Sequence, residues 1–164
     1  MEKIKVIINN NQKEVKIPTG LRMIVRRACI AVLRLENFNK STQVSVSFVN
    51  NDEIRKLNAK YRGKDVETDV LSFQTGENGN YDIDPETGFI MLGDVVISME
   101  KAIEQAGKHG NTMPQEVGFL TAHSMLHLLG YDHENGGLEM AKMREKEQVI
   151  MSQLGFHAFS GYES

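Results

Sequence analysis

Two hydrophobic periods meet within the first fifty residues, and together they restrict the fold more than any other feature. Leu21, Ile24, Val25, Ala28, Ala31, Val32 and Leu35 fall on one arc at helical spacing, while Arg22, Arg26, Arg27 and Arg34 fall on another. From Gln43 to Val49 the period drops to two, with Val44, Val46 and Phe48 on one side and Gln43, Ser45 and Ser47 on the other. An amphipathic helix running into a half-buried strand requires a fold that mixes both elements.

The remaining segments extend the pattern. Ile4 to Ile8 reads as a short strand, and Lys13 to Ile17 alternates as a second strand or hairpin arm would. Asn51 or Asp52 is placed to cap a short helix carrying Ile54, Leu57 and Tyr61. Val70 to Phe73 and Ile90 to Ile97 read as strands, separated by an acidic, Gly-rich loop or hairpin tip. Ser98 can cap a helix that Gly110 stops. Thr112 and Gln115 form a capping box, with Pro114 in the first turn, before an apolar helix that Gly130 ends. A last helix is predicted from about Gly137 to Leu154. The expectation is one α+β domain over residues 1–164, with a mixed sheet of about four to five strands and about five helices.

Composition excludes several classes. The 164 residues are 40% apolar and 25% charged, which is globular rather than disordered. One cysteine allows no internal disulfide, and no run approaches the roughly 18 apolar residues of a membrane span. The opening MEKIKVIINN has no secretory pattern, so a cytoplasmic protein is expected. The formal charge of −3 hides an asymmetry. Residues 1–40 carry nine basic and three acidic side chains, whereas residues 41–164 carry ten and nineteen. Such a split marks either a face for an anionic partner or a solvated basic helix.

The most specific chemistry lies in HSMLHLLGYDH, residues 123–133, with the spacing H-x3-H-x5-H. His123 and His127, four apart on a helix, share one face and can meet one zinc ion. Gly130 permits the reversal that brings His133 round as a third ligand, which places the metal site at the C-terminal end of that helix. Three nitrogens leave one tetrahedral position for water, as in a catalytic zinc site. His109 and His157 read as ordinary surface or capped histidines. The spacing partly matches the H-E-x-x-H-x-x-G-x-x-H peptidase pattern, but Ser124 stands where the general-base Glu belongs. A hydroxyl is too weak a base for that role. Arg62, in a loop-flanked segment before a strand, has the planar fork that suits a phosphodiester, or it simply closes a short helix.

HSMLHLLGYDH resembles the motif of the YbeY family of bacterial zinc-dependent endoribonucleases, or rRNA maturation factors. Tyr61-Arg62-Gly63-Lys64-Asp65 leading into Thr68-Asp69-Val70-Leu71-Ser72-Phe73 is similar to its second block, and Leu92 to Ser98 to a third. The resemblance spans essentially the whole chain. It implies a single-strand-preferring endoribonuclease acting in 16S rRNA 3′-end maturation and ribosome quality control. It carries over His123, His127 and His133 as ligands of one Zn2+ ion, with His123 also catalytic, and Arg62 as the arginine near the RNA phosphate. An activated water or a 2′-hydroxyl would be the nucleophile. Implied partners are small-subunit ribosomal RNA and ribosomal components, with no membrane and no DNA. Two residues depart from the pattern, Ser124 for Gly and Gln74 for Pro. Asp94 is either a support for a ligand imidazole or a turn residue. The rival readings are a zinc peptidase or amidase, and a ribosome-associated zinc-binding module whose site Asp132 or Glu134 would close.

Overall fold

β1 (Ile4–Asn10) and β2 (Thr42–Val49) pair in parallel, joined by α1 (Leu21–Leu35), whose apolar arc packs back on the sheet. A parallel pair needs such a crossover. A computed structural model of the chain describes residues 2–76, 79–132 and 136–156. α2 (Asn51–Arg62) follows, then β3 (Val70–Gln74), the two-residue β4 (Asp82–Ile83) and β5 (Ile90–Ser98). α3 (Met99–His109), α4 (Met113–Leu128) and α5 (Gly137–Gln153) complete the described elements. The sheet runs β1-β2-β5-β3, with β5 parallel to β2 and both β3 and β4 antiparallel to β5. This is the expected α+β class with a mixed sheet, here of five strands.

Lys13 to Ile17 does not form the expected strand. The Gln12 side chain takes over its backbone pairing: Oε1 accepts from the Val15 N–H at 2.8 Å, and Nε2 donates to the Val15 carbonyl at 2.8 Å. The alternation there reflects a turn clamped by a buried amide, and β1 is left as an edge strand. The α2 cap also lies one residue earlier than expected, since Asn50 accepts from the Glu53 N–H at 2.8 Å. Ser98 and the Thr112–Gln115 capping box act as the sequence predicts.

The core lies on one face of the sheet. Val44, Val46 and Phe48 of β2 point into it with Leu92, Val95 and Ile97 of β5. Against them pack α1 and α4, with α3 and α5 closing the sides. α4 is buried on nearly every side, which explains why its sequence is apolar throughout rather than in a stripe. α2 covers the opposite face, where Ile54 and Leu57 meet Val49, Leu71 and Val96. Among the described residues no helix is long and apolar enough to cross a membrane.

One irregularity sets where α4 ends against the sheet. The β2–β5 register moves from Gln43 opposite Met91 to Val44 opposite Gly93, so Leu92 is an extra residue in β5. Gly93 has φ +151°, and a Cβ there would collide with the Phe73 carbonyl oxygen and lie 3.0 Å from Leu128 Cδ2. Only glycine lets β3 and the last turn of α4 approach together. Gly93→Ala is therefore expected to destabilise the fold by about 3 kcal/mol. Urea unfolding measures this, and a midpoint equal to wild type would contradict it.

Candidate active site

His123 and His127 occupy one face of α4, their ring centroids 4.5 Å apart and nearly perpendicular. Phe119, a further turn back, stacks on His123 at 5.8 Å. Each imidazole is held through its Nδ1. His123 Nδ1 lies 2.6 Å from the Glu147 carboxylate on α5, and His127 Nδ1 lies 2.6 Å from the Tyr131 carbonyl. Both partners are acceptors, so each Nδ1 donates, which turns each Nε2 the other way. The two Nε2 atoms face one another at 3.0 Å.

That spacing is a hydrogen-bond distance, one proton serving both nitrogens. Two nitrogens bound to one tetrahedral centre at about 2.0–2.1 Å lie roughly 3.4 Å apart, so a shift of about 0.4 Å would admit one ion in the proton's place. Two ring nitrogens held this close need a proton or a Lewis acid between them, and a zinc ion can take that place. His133, the expected third ligand, lies outside the described residues, as do Glu134 and His157. Among the described residues no group of three or more His, Cys, Asp or Glu side chains is arranged to hold a metal ion.

The Tyr131 carbonyl is fixed in turn. Leu129 caps α4, Gly130 takes φ +104°, and the Gly130 and Tyr131 N–H groups fold back onto the carbonyls of His127 and Leu126 at 2.9 and 3.0 Å. The Tyr131 hydroxyl donates to Glu36, just past α1, at 2.5 Å, and Lys146 of α5 donates to the other Glu36 oxygen at 2.6 Å. Burial, with the Glu36 carboxylate, pushes the Tyr131 hydroxyl above the usual phenol range, so it stays a donor. Gln74 donates to the Leu128 carbonyl at 3.0 Å, and the Tyr81 hydroxyl does so at 2.6 Å. A proline at position 74 could not make that bond. Ser124, next to His123 in sequence and buried, also lines the cleft.

Arg62 opens onto the same cleft, a cavity of about 1010 Å³ bordered by the end of α2, β3 and the end of α4. It is the last residue of α2, and Gly63 follows at φ +70°. Its Nη2 donates to the Ser72 carbonyl at 2.6 Å, and its guanidinium lies 5.2 Å over the Phe73 ring. The loop beyond is tied down by buried Asn58, whose amide donates to the Val66 carbonyl at 2.9 Å. The structure thus brings Arg62 to one cleft with His123 and His127, some sixty residues further along the chain. Asp132 borders it too.

Several supporting groups escape a reading of the sequence alone. Asp94 supports neither His123 nor His127; its side chain is exposed on β5, and Glu147 and the Tyr131 carbonyl take that role. Glu147 had a legible signal: it sits at an inward position between Met143 and Ile150 of α5, where a carboxylate needs a partner. His109 pairs with buried Glu116 at 3.5 Å, away from the cleft. Cys29 is wholly buried in α1, and burial pushes its thiol up to about 12, so it supplies no nucleophile.

The His123–Glu147 pair has a measurable signature. Removing either partner alone leaves a mostly buried polar group uncompensated, at about 1–3 kcal/mol. His123→Ala and Glu147→Leu are therefore expected to be non-additive, the double variant being more stable than the sum of the single losses implies. Urea unfolding of the four proteins reads the coupling; strict additivity would contradict it.

Comparison with known proteins agrees with this geometry. The endoribonuclease YbeY family matches residues 7–155 of the chain. The endoribonuclease YbeY of Alkaliphilus metalliredigens is 43% identical over 157 residues, covering 93% of this chain and 96% of that protein. That of Caldanaerobacter subterraneus subsp. tengcongensis is 48% identical over 157 residues, covering 93% and 98%. The solution structure of a Thermotoga maritima protein superposes with a TM-score of 0.60 at 23% identity, over 93% of both chains, and speaks for the fold alone. With the family's match running through all three sequence blocks and both sides of the cleft, the chain belongs to the YbeY family of endoribonucleases.

Proposed function

We propose that this endoribonuclease, folded as one domain over residues 1–164, cleaves single-stranded RNA at a one-zinc centre held by His123, His127 and His133. Family membership supports a role in 16S rRNA 3′-end maturation and ribosome quality control in the cytoplasm. The observation that carries the metal reading is the pair of Nε2 atoms facing each other at 3.0 Å with both Nδ1 positions committed elsewhere. A zinc ion bound there supplies Lewis acidity, polarising a phosphoryl oxygen and lowering the pKa of a water molecule toward neutrality.

The protein's own groups do the rest. Arg62, tethered by Ser72 and resting on Phe73, keeps the remainder of its fork for the non-bridging oxygens of a phosphodiester. Charge grows on those oxygens as the nucleophile, a water or the neighbouring 2′-hydroxyl, adds to phosphorus, so a prepositioned guanidinium favours the transition state. Glu147 and the Tyr131 carbonyl orient the imidazoles and raise their donor strength. Ser124 in place of a Glu leaves the peptidase base missing.

The test is metal analysis of the purified protein, with assays on single-stranded RNA and on peptides. Wild type is expected to carry zinc and to cut RNA but not peptide. Arg62→Glu should lose about 100-fold or more in kcat with zinc retained, and His123→Ala should lose zinc and cleavage together. RNA cleavage unaffected by either substitution overturns the mechanism, and peptide cleavage favours the peptidase reading.

The basic segment supports an RNA-facing role for α1. α1 contains no acidic residue, and Arg22, Arg26, Arg27 and Arg34 are all exposed on it. Arg27 is partly structural, since its Nη2 donates to the carbonyl of Gln153 at the end of α5 at 3.1 Å. Replacing Arg22, Arg26 and Arg34 with Gln is expected to weaken RNA binding and to flatten its salt dependence, the slope falling by about 0.7 for each phosphate that is no longer neutralised. An unchanged slope in a salt titration would show that these arginines only solvate the helix.

A further inference from the structure

Beside the phosphate-binding arginine stands an aromatic side chain that neither the core nor the metal centre uses. Tyr61 immediately precedes Arg62 at the end of α2 and is 55% exposed, the one aromatic among the exposed large hydrophobic side chains described. Its ring leans on Phe73, with centroids 5.2 Å apart and planes tilted by 60°. Arg62 rests on the same Phe73 ring, also at 5.2 Å. Phe73 is therefore a shared base that fixes both an exposed aromatic and a guanidinium, one residue from the Ser72 carbonyl that borders the cleft. The Lys60 ammonium lies over the Tyr61 ring, 5.1 Å from its centroid.

Burial does not account for this arrangement. An exposed tyrosine loses most of its apolar surface to water, and Phe73 would be covered as well by an aliphatic side chain. What the cluster does present is a pre-oriented π-surface flanked by two cations, which matches one kind of ligand, an unstacked nucleobase with a phosphate on either side. A base inside a duplex offers no free face to such a platform.

We propose that Tyr61 is a stacking subsite for one nucleobase of the RNA strand, adjacent to the scissile phosphate held by Arg62, and that it is a source of the enzyme's preference for single strands. The inference rests on the RNA-cleaving reading above. Arg62 takes the reacting phosphate, Tyr61 takes the neighbouring base, and Lys60 moves from the ring to the next phosphate. Tyr61 touches substrate without entering the chemistry, so its loss falls on KM rather than kcat.

The experiment compares wild type, Tyr61→Ala and Tyr61→Trp of the full chain, each checked for unchanged unfolding midpoint. Binding is read by fluorescence anisotropy and cleavage by KM and kcat. The probe is a short single-stranded RNA and a series of the same oligonucleotide with one base removed at each position in turn. Tyr61→Ala should raise Kd and KM about ten-fold or more, with kcat within two-fold, while Tyr61→Trp stays near wild type. Wild type should show one position at which base removal is as damaging as the alanine substitution, and Tyr61→Ala should be insensitive there. Equal loss by Tyr61→Ala on the intact and every base-deleted strand, or no loss at all, overturns the subsite. The two readings separate: Tyr61-dependent binding without cleavage keeps the platform and rejects the nuclease, whereas normal cleavage without Tyr61 dependence does the reverse.

Discussion

Both imidazoles of the cleft are tied by the nitrogen that faces away from it, and the site depends on that. Left free, two histidines on one helix face would turn their rings to water or to each other. Glu147 and the Tyr131 carbonyl each accept from an Nδ1 at 2.6 Å, which turns the two Nε2 atoms toward each other. The arrangement draws on three helices and a turn. α5 supplies Glu147, the Gly130 reversal supplies the Tyr131 carbonyl, and Glu36 beyond α1 anchors the Tyr131 hydroxyl. A helix C-terminus adds to the attraction for a cation there.

The sheet puts the second half of the site in reach. β5 is the central strand between β2 and β3, and its extra residue at Leu92 lets β3 and the end of α4 close on Gly93. β3 then carries Ser72 to the cleft, with Phe73 beside it, and the two receive Arg62 from the end of α2 on the other face of the sheet. Cation-seeking nitrogens and an anion-seeking guanidinium thus meet across one opening, as a phosphodiester bound between a metal and an arginine would require.

Much of this is legible in the sequence. The helical arc of α1, the alternation of β2 and the capping box of α4 are local signals, and local chemistry decides them. The H-x3-H pair was legible because helical geometry alone puts positions 123 and 127 side by side. Lys13 to Ile17 misled because alternation cannot distinguish a strand from a turn whose backbone groups are satisfied by a glutamine side chain. The anchors were mostly hidden for a related reason: Glu36 and Tyr131 are 95 residues apart, and only the packing of α1 beside α4 brings them together. Glu147 was the exception, a charged residue on an inward-facing stripe.

The central claim, that the outward anchors direct both Nε2 atoms to one metal ion, is tested most directly by a crystal structure of the zinc-loaded protein with anomalous data at the zinc edge. The account predicts a single anomalous peak within about 2.0–2.1 Å of both His123 Nε2 and His127 Nε2, with Glu147 and the Tyr131 carbonyl still on the two Nδ1 atoms. Zinc bound through an Nδ1, or a peak elsewhere with the two Nε2 atoms still sharing only a proton, would contradict it.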